Sequence, residues 1–130
     1  MLETHGIPAG LTVSLHRARI RLGMEDEATR WMQMLNDRHR EAVATLDRER
    51  MAIEIVFRSS EPTGDHLTWI TARGPGEDVG TSRHALDIDH LDYDRRVRLP
   101  GWTIGEVQLL LLPEPVLRAV TDWAGVPEGT

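Results

Sequence analysis

The sequence predicts one α+β domain, in which a long amphipathic helix and a shorter one pack on a small sheet. Apolar side chains recur at spacings of three and four across residues 25–48, which is the period of a helix. Side-chain character alternates across residues 51–58, which is the period of a strand. The chain has 130 residues and no internal repeat, so one domain accounts for its length.

Glycine and proline mark the ends of the predicted parts. We expect a flexible leader over residues 1–10, a single domain over residues 11–124 and a tail over residues 125–130. The first strand is expected at residues 11–21, where β-branched side chains partly alternate with others. One face of this strand would carry Val13, Leu15, Arg17 and Arg19, and the other would carry Ser14, His16, Ala18 and Ile20.

The long helix of residues 25–48 has a charge distribution that matches the helix dipole. Three carboxylates occupy its first turn, and Arg48 and Arg50 lie at its end. Its apolar stripe is expected to face the core and consists of Ala28, Trp31, Met32, Leu35, His39, Ala42, Val43 and Leu46. After it, strands at residues 51–58 and 67–73 should form a hairpin.

The second half of the chain completes a regular order of elements. A second helix should begin near Asp87, which is an N-cap candidate, and should end before Pro100. Residues 106–112 predict the last strand, and Pro115 would open a terminal helix that reaches Trp123. The order β-α-β-β-α-β with an added C-terminal helix is that of a ferredoxin-like fold. Right-handed crossovers would place both main helices on one sheet face.

The strand of residues 51–58 is expected to turn its apolar face toward the helices. That face carries Met51, Ile53, Ile55 and Phe57, and the opposite face carries Ala52, Glu54, Val56 and Arg58. Residues 109–112 are apolar on both faces, although a strand with one solvated face should alternate. A second copy of the chain that covers this face, as in a dimeric α+β barrel, would explain the pattern. The alternative cover is the C-terminal helix, residues 115–124.

Composition excludes several classes of function. The net charge of −6 disfavours a nucleic-acid partner and an anionic membrane surface, because both attract basic proteins. The absence of cysteine excludes disulfides, thiolate nucleophiles and thiolate metal sites. No apolar stretch approaches a membrane span, and residues 1–10 lack the pattern of a signal peptide. We therefore expect a soluble cytoplasmic protein.

Several short motifs resemble a small bacterial domain family of unknown function. They are Trp31-x3-Leu35-Asn36, then Thr45-Leu46, Glu49, Met51, Glu54 and Phe57, and later Leu67-x-Trp69, Ser82-x-His84 and Asp87-x2-His90. The resemblance covers about residues 13–112. It implies a relationship to the dimeric α+β barrel superfamily. That superfamily includes cofactor-free monooxygenases, isomerases, dehydratases, cyclases of aromatic polyketides, haem enzymes and non-enzymatic proteins.

The densest cluster of polar side chains lies at residues 82–90. His84, Asp87 and His90 could act as a proton-transfer group and its orienting partner, because histidine titrates near neutral pH. With an added carboxylate they could instead bind a metal ion. The structural alternative is that Asp87 caps a helix and that His90 bonds locally within its first turn.

Other candidates lie on the predicted strands. Glu54 and Arg58 would face the cavity of a dimeric barrel, or form an ion pair at the dimer interface. His16 could meet Glu54 if both lie on the cavity face, and Trp69 could stack on an aromatic substrate or belong to the core. We expect Glu49 to be solvated or paired.

The leading hypothesis is a small cofactor-independent enzyme that isomerises, cyclises or dehydrates an apolar or aromatic metabolite. His84 and Glu54 are the main catalytic candidates, supported by His90 and Asp87, with His16, Arg58 and Trp69 as substrate contacts. The lysine-free, arginine-rich composition is compatible with bacterial secondary metabolism. A cofactor-free monooxygenase is one alternative, and a non-catalytic ligand-binding or dimerisation module is another. We expect a homodimer that needs no cofactor or metal and binds neither nucleic acid nor membrane.

Overall fold

Four strands and four helices form in the part of the chain that the computed structural model describes, residues 6–76, 82 and 84–125. They are β1 (Thr12–Arg19), α1 (Glu25–Asp37), α2 (His39–Glu49), β2 (Met51–Glu61), β3 (Gly64–Arg73), α3 (Ala85–Val97), β4 (Thr103–Gly105) and α4 (Glu114–Ala124). The strands form one antiparallel sheet in the order β2-β3-β1-β4. The predicted α+β class is confirmed. No helix in these ranges is long and apolar enough to cross a membrane.

The predicted long helix is two helices that meet at Arg38. The backbone of Arg38 has φ −102° and ψ 35°, which is not helical, and α2 begins at the next residue. Asn36 and Asp37 precede the break, and such side chains compete with the helix for backbone hydrogen bonds. Asn36 indeed donates to the carbonyl oxygen of Met32 at 2.8 Å. The break lets α1 and α2 contact different parts of the sheet, so the prediction of one continuous helix was wrong.

The core lies between α1, α3 and one face of the sheet. Its largest fully buried side chains include Trp31 from α1, Leu67 from β3 and Val97 from α3. Ala18 is buried on the same face as Leu67, its cross-strand partner. The helix-facing side of β1 therefore carries Ser14, His16, Ala18 and Ile20, one of the two predicted sets.

The faces of β2 are opposite to those predicted. The pairing of β2 with β3 shifts register between Met51 and Ile53, which is a β-bulge. Met51 is buried, but beyond the bulge Val56 packs against the core cluster, while Ile53, Ile55 and Phe57 are 38%, 42% and 54% exposed. A shift of one residue turns every later side chain to the other face. The apolar row of β2 therefore lies on the sheet face away from α1 and α3.

The C-terminal part of the fold also differs from the prediction. The last strand is Thr103–Gly105, which pairs with β1, and residues 106–113 form neither strand nor helix. Leu109 and Leu111 are 66% and 78% exposed. A continuous apolar run lacks the alternation that identifies a strand and its register, which explains the misplaced element.

Helix α4 covers one end of the sheet face away from α1 and α3. Val120 and Ala124 form a buried cluster with Leu11, and Val13 and Ala52 pack against it. The indole of Trp123 donates to the carbonyl oxygen of Met51 at 2.9 Å. Ile7, within the expected leader, also packs against this cluster, whereas residues 1–5 and 126–130 lie outside the described ranges. The C-terminal helix thus covers part of this face and leaves the row of Ile53, Ile55 and Phe57 exposed.

The helix that was expected to start near Asp87 begins two residues earlier, at Ala85, and ends at Val97. His84 occupies the N-cap position, and its side chain makes no capping hydrogen bond. Asp87 is the third helical residue and is 3% exposed. The prediction that Asp87 caps this helix was therefore wrong, and its carboxylate is available to a partner outside the helix.

Adjacent residues of β3 should differ sharply in their contribution to stability. Leu67 is fully buried beneath the helices, whereas Thr68 lies on the other sheet face and is half-buried. We expect Leu67→Ala to lower the free energy of unfolding by about 2–5 kcal/mol, because it leaves a cavity in the core. Thr68→Ala should cost less than about 1 kcal/mol. Urea denaturation followed by tryptophan fluorescence measures both, and equal losses would contradict the assignment of the two faces.

Candidate functional site

A cavity of about 700 Å³ lies between the helices and the sheet. Strands β1, β2 and β3 form its floor, and α1, α2 and α3 form its walls. Of its 24 lining residues 13 are polar or charged, and its aliphatic lining comprises Met32, Leu35, Ala42, Val43, Leu46, Met51, Val56, Leu86 and Leu91. A volume of this size suits a small organic molecule.

Strand pairing places the polar groups of the floor in two neighbouring rows. His16 pairs with Trp69 across β1 and β3, two residues from the pairing of Ser14 with Thr71. Glu54 of β2 pairs with Thr71. Directly opposed residues of an antiparallel sheet share a face, so all five side chains lie on the helix side, and all five line the cavity. His16 and Glu54 therefore share a sheet face, on two strands that β3 separates.

Two tryptophans hold two of the titratable side chains. The indole of Trp69 donates to Glu54 Oε2 at 2.9 Å, and the indole of Trp31 donates to His90 Nδ1 at 2.9 Å. The Trp31 and Trp69 rings are 5.2 Å apart, so the two hydrogen bonds belong to one aromatic cluster. Because Nδ1 accepts a hydrogen bond, neutral His90 carries its proton on Nε2. Burial lowers the pKa of His90, against the opposing effect of Glu54, and this favours the neutral ring.

Glu49, the last residue of α2, is the most perturbed carboxyl group of the cavity. It is 6% exposed, and no described residue forms a hydrogen bond or ion pair with it. Burial raises its pKa to about 7, and the nearby charges of Glu54 and Asp87 add to the effect, while Arg73 and Arg48 oppose it. At neutral pH both protonation states of Glu49 are therefore populated, so this group can either give or take a proton.

Asp87 joins the end of α2 to the start of α3. Arg48 Nη2 donates to Asp87 Oδ2 at 2.9 Å and to Ser82 Oγ at 2.7 Å. The Asp87 carboxylate is almost completely buried, and a buried carboxylate needs such a cationic partner. Asp87 and Arg48 therefore form a partly buried ion pair that joins the two helices beside Glu49, the residue that follows Arg48.

The structure brings together five of the seven candidates identified from the sequence. His16, Glu54, Trp69, Asp87 and His90 all line the cavity. The cavity lies on the helix side of the sheet, whereas it was expected on the opposite side.

His84 and Arg58 are not among the residues that line the cavity. His84 is exposed at the N-cap of α3. Arg58 forms an ion pair with Asp65 at 2.8 Å and donates to Thr29 Oγ1 at 2.8 Å. Its partner lies within its own subunit, whereas the alternative considered from the sequence was an ion pair at a dimer interface.

Sequence reasoning missed Glu49, which was expected to be solvated or paired. A signal was present, because Glu49 lies three residues after Leu46 and so extends the apolar stripe of α2. A carboxylate on a buried stripe is unusual and points to a functional role. Among the described residues, no group of three or more histidine and carboxylate side chains is arranged to hold a metal ion.

Glu49 should make the stability of the protein depend on pH. Its pKa in the folded protein, about 7, exceeds the ordinary value of 4.5. As pH rises from about 4.5 to 7 the unfolded chain releases this proton and the folded protein retains it, so the folded state loses stability. We expect Glu49→Gln, which removes the charge, to raise the free energy of unfolding by about 1–3 kcal/mol at pH 8.5 and to change it little near pH 4.5.

The control for this experiment is Glu41→Gln on the same helix. Glu41 is exposed, and its ion pair with Arg38 lowers its pKa. Its replacement should therefore give no gain at pH 8.5. Chemical denaturation of the three proteins at several pH values measures the difference. If Glu49→Gln changed the free energy of unfolding equally at pH 4.5 and pH 8.5, Glu49 would have an ordinary pKa.

Comparison with known proteins places the chain in a family without assigning an activity. No curated protein and no solved structure matches it. The model of one family, described as "Family of unknown function (DUF6176)", matches residues 11–118. The match covers β1 to the first turns of α4, and so includes every element that lines the cavity. The chain therefore belongs to the family of unknown function DUF6176.

Proposed function

We propose that the protein is a cofactor-independent enzyme that moves protons on a small apolar or aromatic metabolite. The observation that carries the proposal is Glu49, a buried carboxyl group with a pKa of about 7 that lines a cavity of about 700 Å³. Enzymes that act as acids and bases near neutral pH need groups with such a pKa. The reaction class is isomerisation, cyclisation or dehydration, since each needs one proton removed and another supplied.

The roles follow from the positions of the side chains. Glu49 in its ionised form removes a proton from a carbon atom next to a carbonyl group, and in its protonated form it returns one. Neutral His90, with its proton on Nε2, can donate a hydrogen bond to the oxygen on which negative charge develops. The charge of Glu54 lies close to Glu49 and contributes to the raised pKa of that carboxyl. The aliphatic walls bind the body of the substrate.

Proton removal can be tested without knowing the natural substrate. In D2O, an enzyme of this class exchanges the acidic C–H protons of enolisable ketones for deuterium. In a panel of cyclic and aryl ketones, we expect the protein to accelerate the exchange of at least one ketone by about 100-fold or more over buffer alone. NMR measures the loss of the C–H signal, and the rate should change with pH around an inflection near 7.

Matched variants decide which group acts. Glu49→Gln should lower the exchange rate by about 100-fold or more and abolish the inflection near pH 7. Glu41→Gln, on the same helix but exposed, should leave both unchanged. His84→Ala should also leave them unchanged, because His84 lies outside the cavity. If ketones bind in the cavity and none exchanges, the protein is a non-catalytic ligand-binding module and the enzymatic proposal fails.

We also propose that the domain is ferredoxin-like and that two copies pack through the sheet face away from α1 and α3. The strand order β2-β3-β1-β4 supports the first point, as do the helices that connect β1 to β2 and β3 to β4. The second is supported by the exposed apolar row of Ile53, Ile55 and Phe57, which α4 leaves uncovered. Such a row on a sheet face favours a protein partner, and a second copy completes a dimeric α+β barrel.

A charge in the middle of this row should dissociate the dimer. Ile55 is 42% exposed and lies between the other two members of the row on the same strand face. We expect Ile55→Glu to convert a dimer to a monomer in sedimentation-velocity experiments, because the interface would bury an unpaired charge. Leu22→Glu is the control, since Leu22 is 87% exposed in the turn before α1 and should have no effect. A wild-type protein that sediments as a monomer at high micromolar concentration would contradict the proposal.

A further inference from the structure

The side chain of Glu49 is almost completely buried at the wall of the cavity. It is 6% exposed, it lines the cavity, and no described residue forms a hydrogen bond or ion pair with it. Burying a carboxyl group away from water is costly unless another group bonds to it. A molecule that enters the cavity can bond to the Glu49 carboxyl, which would then lie at the polar end of a ligand site.

The charges around this carboxyl favour a cation as its partner. Glu54 and Asp87 act on Glu49 with negative charge, and their effects exceed those of the positive Arg73 and Arg48. Arg48 and Asp87 bond to each other at 2.9 Å, so their charges largely offset one another. When Glu49 is ionised, it and Glu54 carry two negative charges against the one positive charge of Arg73, so the balance at this end of the cavity is negative. An anionic ligand would be repelled there, and a cationic one would be attracted.

Aromatic rings provide a second attraction for a cation. Trp69 and Trp102 line the cavity with ring centroids 5.9 Å apart and planes at 77°. The guanidinium of Arg98 lies 4.0 Å from the Trp102 ring centroid, so one cation of the protein already uses this attraction. Organic ammonium groups bind to tryptophan faces in the same way. A bare metal ion would not suit these walls, because metal ions require several oxygen or nitrogen ligands.

We propose that the cavity selects an organic cation, a protonated amine on an apolar or aromatic body, whose ammonium group binds beside the carboxylates of Glu49 and Glu54. The proposal rests on the proposed use of the cavity as a substrate site and names the chemical class of that substrate. The ammonium group bonds to the Glu49 carboxylate. The hydrocarbon or aromatic body packs on the aliphatic walls of α1 and α2 and on Trp69.

Binding of such a cation is coupled to the proton on Glu49. A positive charge beside the carboxyl group favours its ionised form and lowers its pKa. Near pH 7 about half of the free protein carries this proton, so binding of the amine releases up to about half a proton per molecule. Well above pH 8 the carboxyl is already ionised, and the release disappears.

Three ligands of one shape test the charge preference. Tryptamine, tryptophol and indole-3-propionate share an indole body and differ in a cationic, neutral or anionic end group. Isothermal titration of the whole chain at pH 7 should show tryptamine binding at least tenfold more tightly than tryptophol, with the propionate weakest. Titrations in phosphate and in Tris, which differ in ionisation enthalpy, should show the proton release for tryptamine alone.

Variants separate this inference from the proposed enzymatic function. Glu49→Gln should abolish the proton release and reduce the preference for tryptamine to about threefold or less, and circular dichroism checks its fold. Glu41→Gln should behave as the wild type. Equal or tighter binding of tryptophol or indole-3-propionate, or no saturable tryptamine binding at millimolar concentration, overturns the amine inference. That result would not affect the proposed proton transfer, which deuterium exchange in ketones tests separately. Selective amine binding without exchange in any ketone would support the amine site and would contradict the proposed enzymatic function.

Discussion

The indole of Trp31 is the contact on which the arrangement of helices and sheet depends. It is fully buried in α1, its ring lies 5.2 Å from Trp69 of the sheet, and it donates to His90 of α3. Tyr93 stacks on it at 6.3 Å, so α1, α3 and β3 meet at one side chain. The same contact sets the tautomer of His90. Packing and site geometry are therefore coupled, and a change in the core would alter the chemistry of the cavity.

The β-bulge between Met51 and Ile53 determines what the cavity contains. Without the extra residue, Ile53 and Ile55 would point beneath the helices and Glu54 would point away. With it, one strand places a carboxylate beside Trp69 and leaves an apolar row on the other face. Bulges often occur next to functional sites because they redirect side chains in this way. One backbone irregularity thus creates both the charged floor of the cavity and the surface that we assign to a second copy.

Sequence patterns predicted the fold class and most elements, because periodicity and local composition carry that information. Of the seven candidate residues that the sequence suggested, five line the cavity. The patterns misassigned the faces of β2, since a bulge leaves no mark in the alternation of eight residues. They predicted one helix in place of α1 and α2, because the apolar stripe continues across Arg38 although the backbone there is not helical. The role of Glu49 was missed for a related reason. Its burial depends on the contact of α2 with the sheet, which is a long-range property.

Stability alone does not explain the carboxyl group of Glu49. An apolar residue at this position of α2 would continue the stripe after Leu46 and would avoid the cost of burying a group that lacks a partner. The surrounding carboxylates increase this cost, because Glu54 and Asp87 raise the pKa of Glu49 further. Proteins tolerate such local instability chiefly where the group serves binding or catalysis. A ligand that carries a positive charge would offset this cost on binding, because it favours the ionised carboxylate of Glu49.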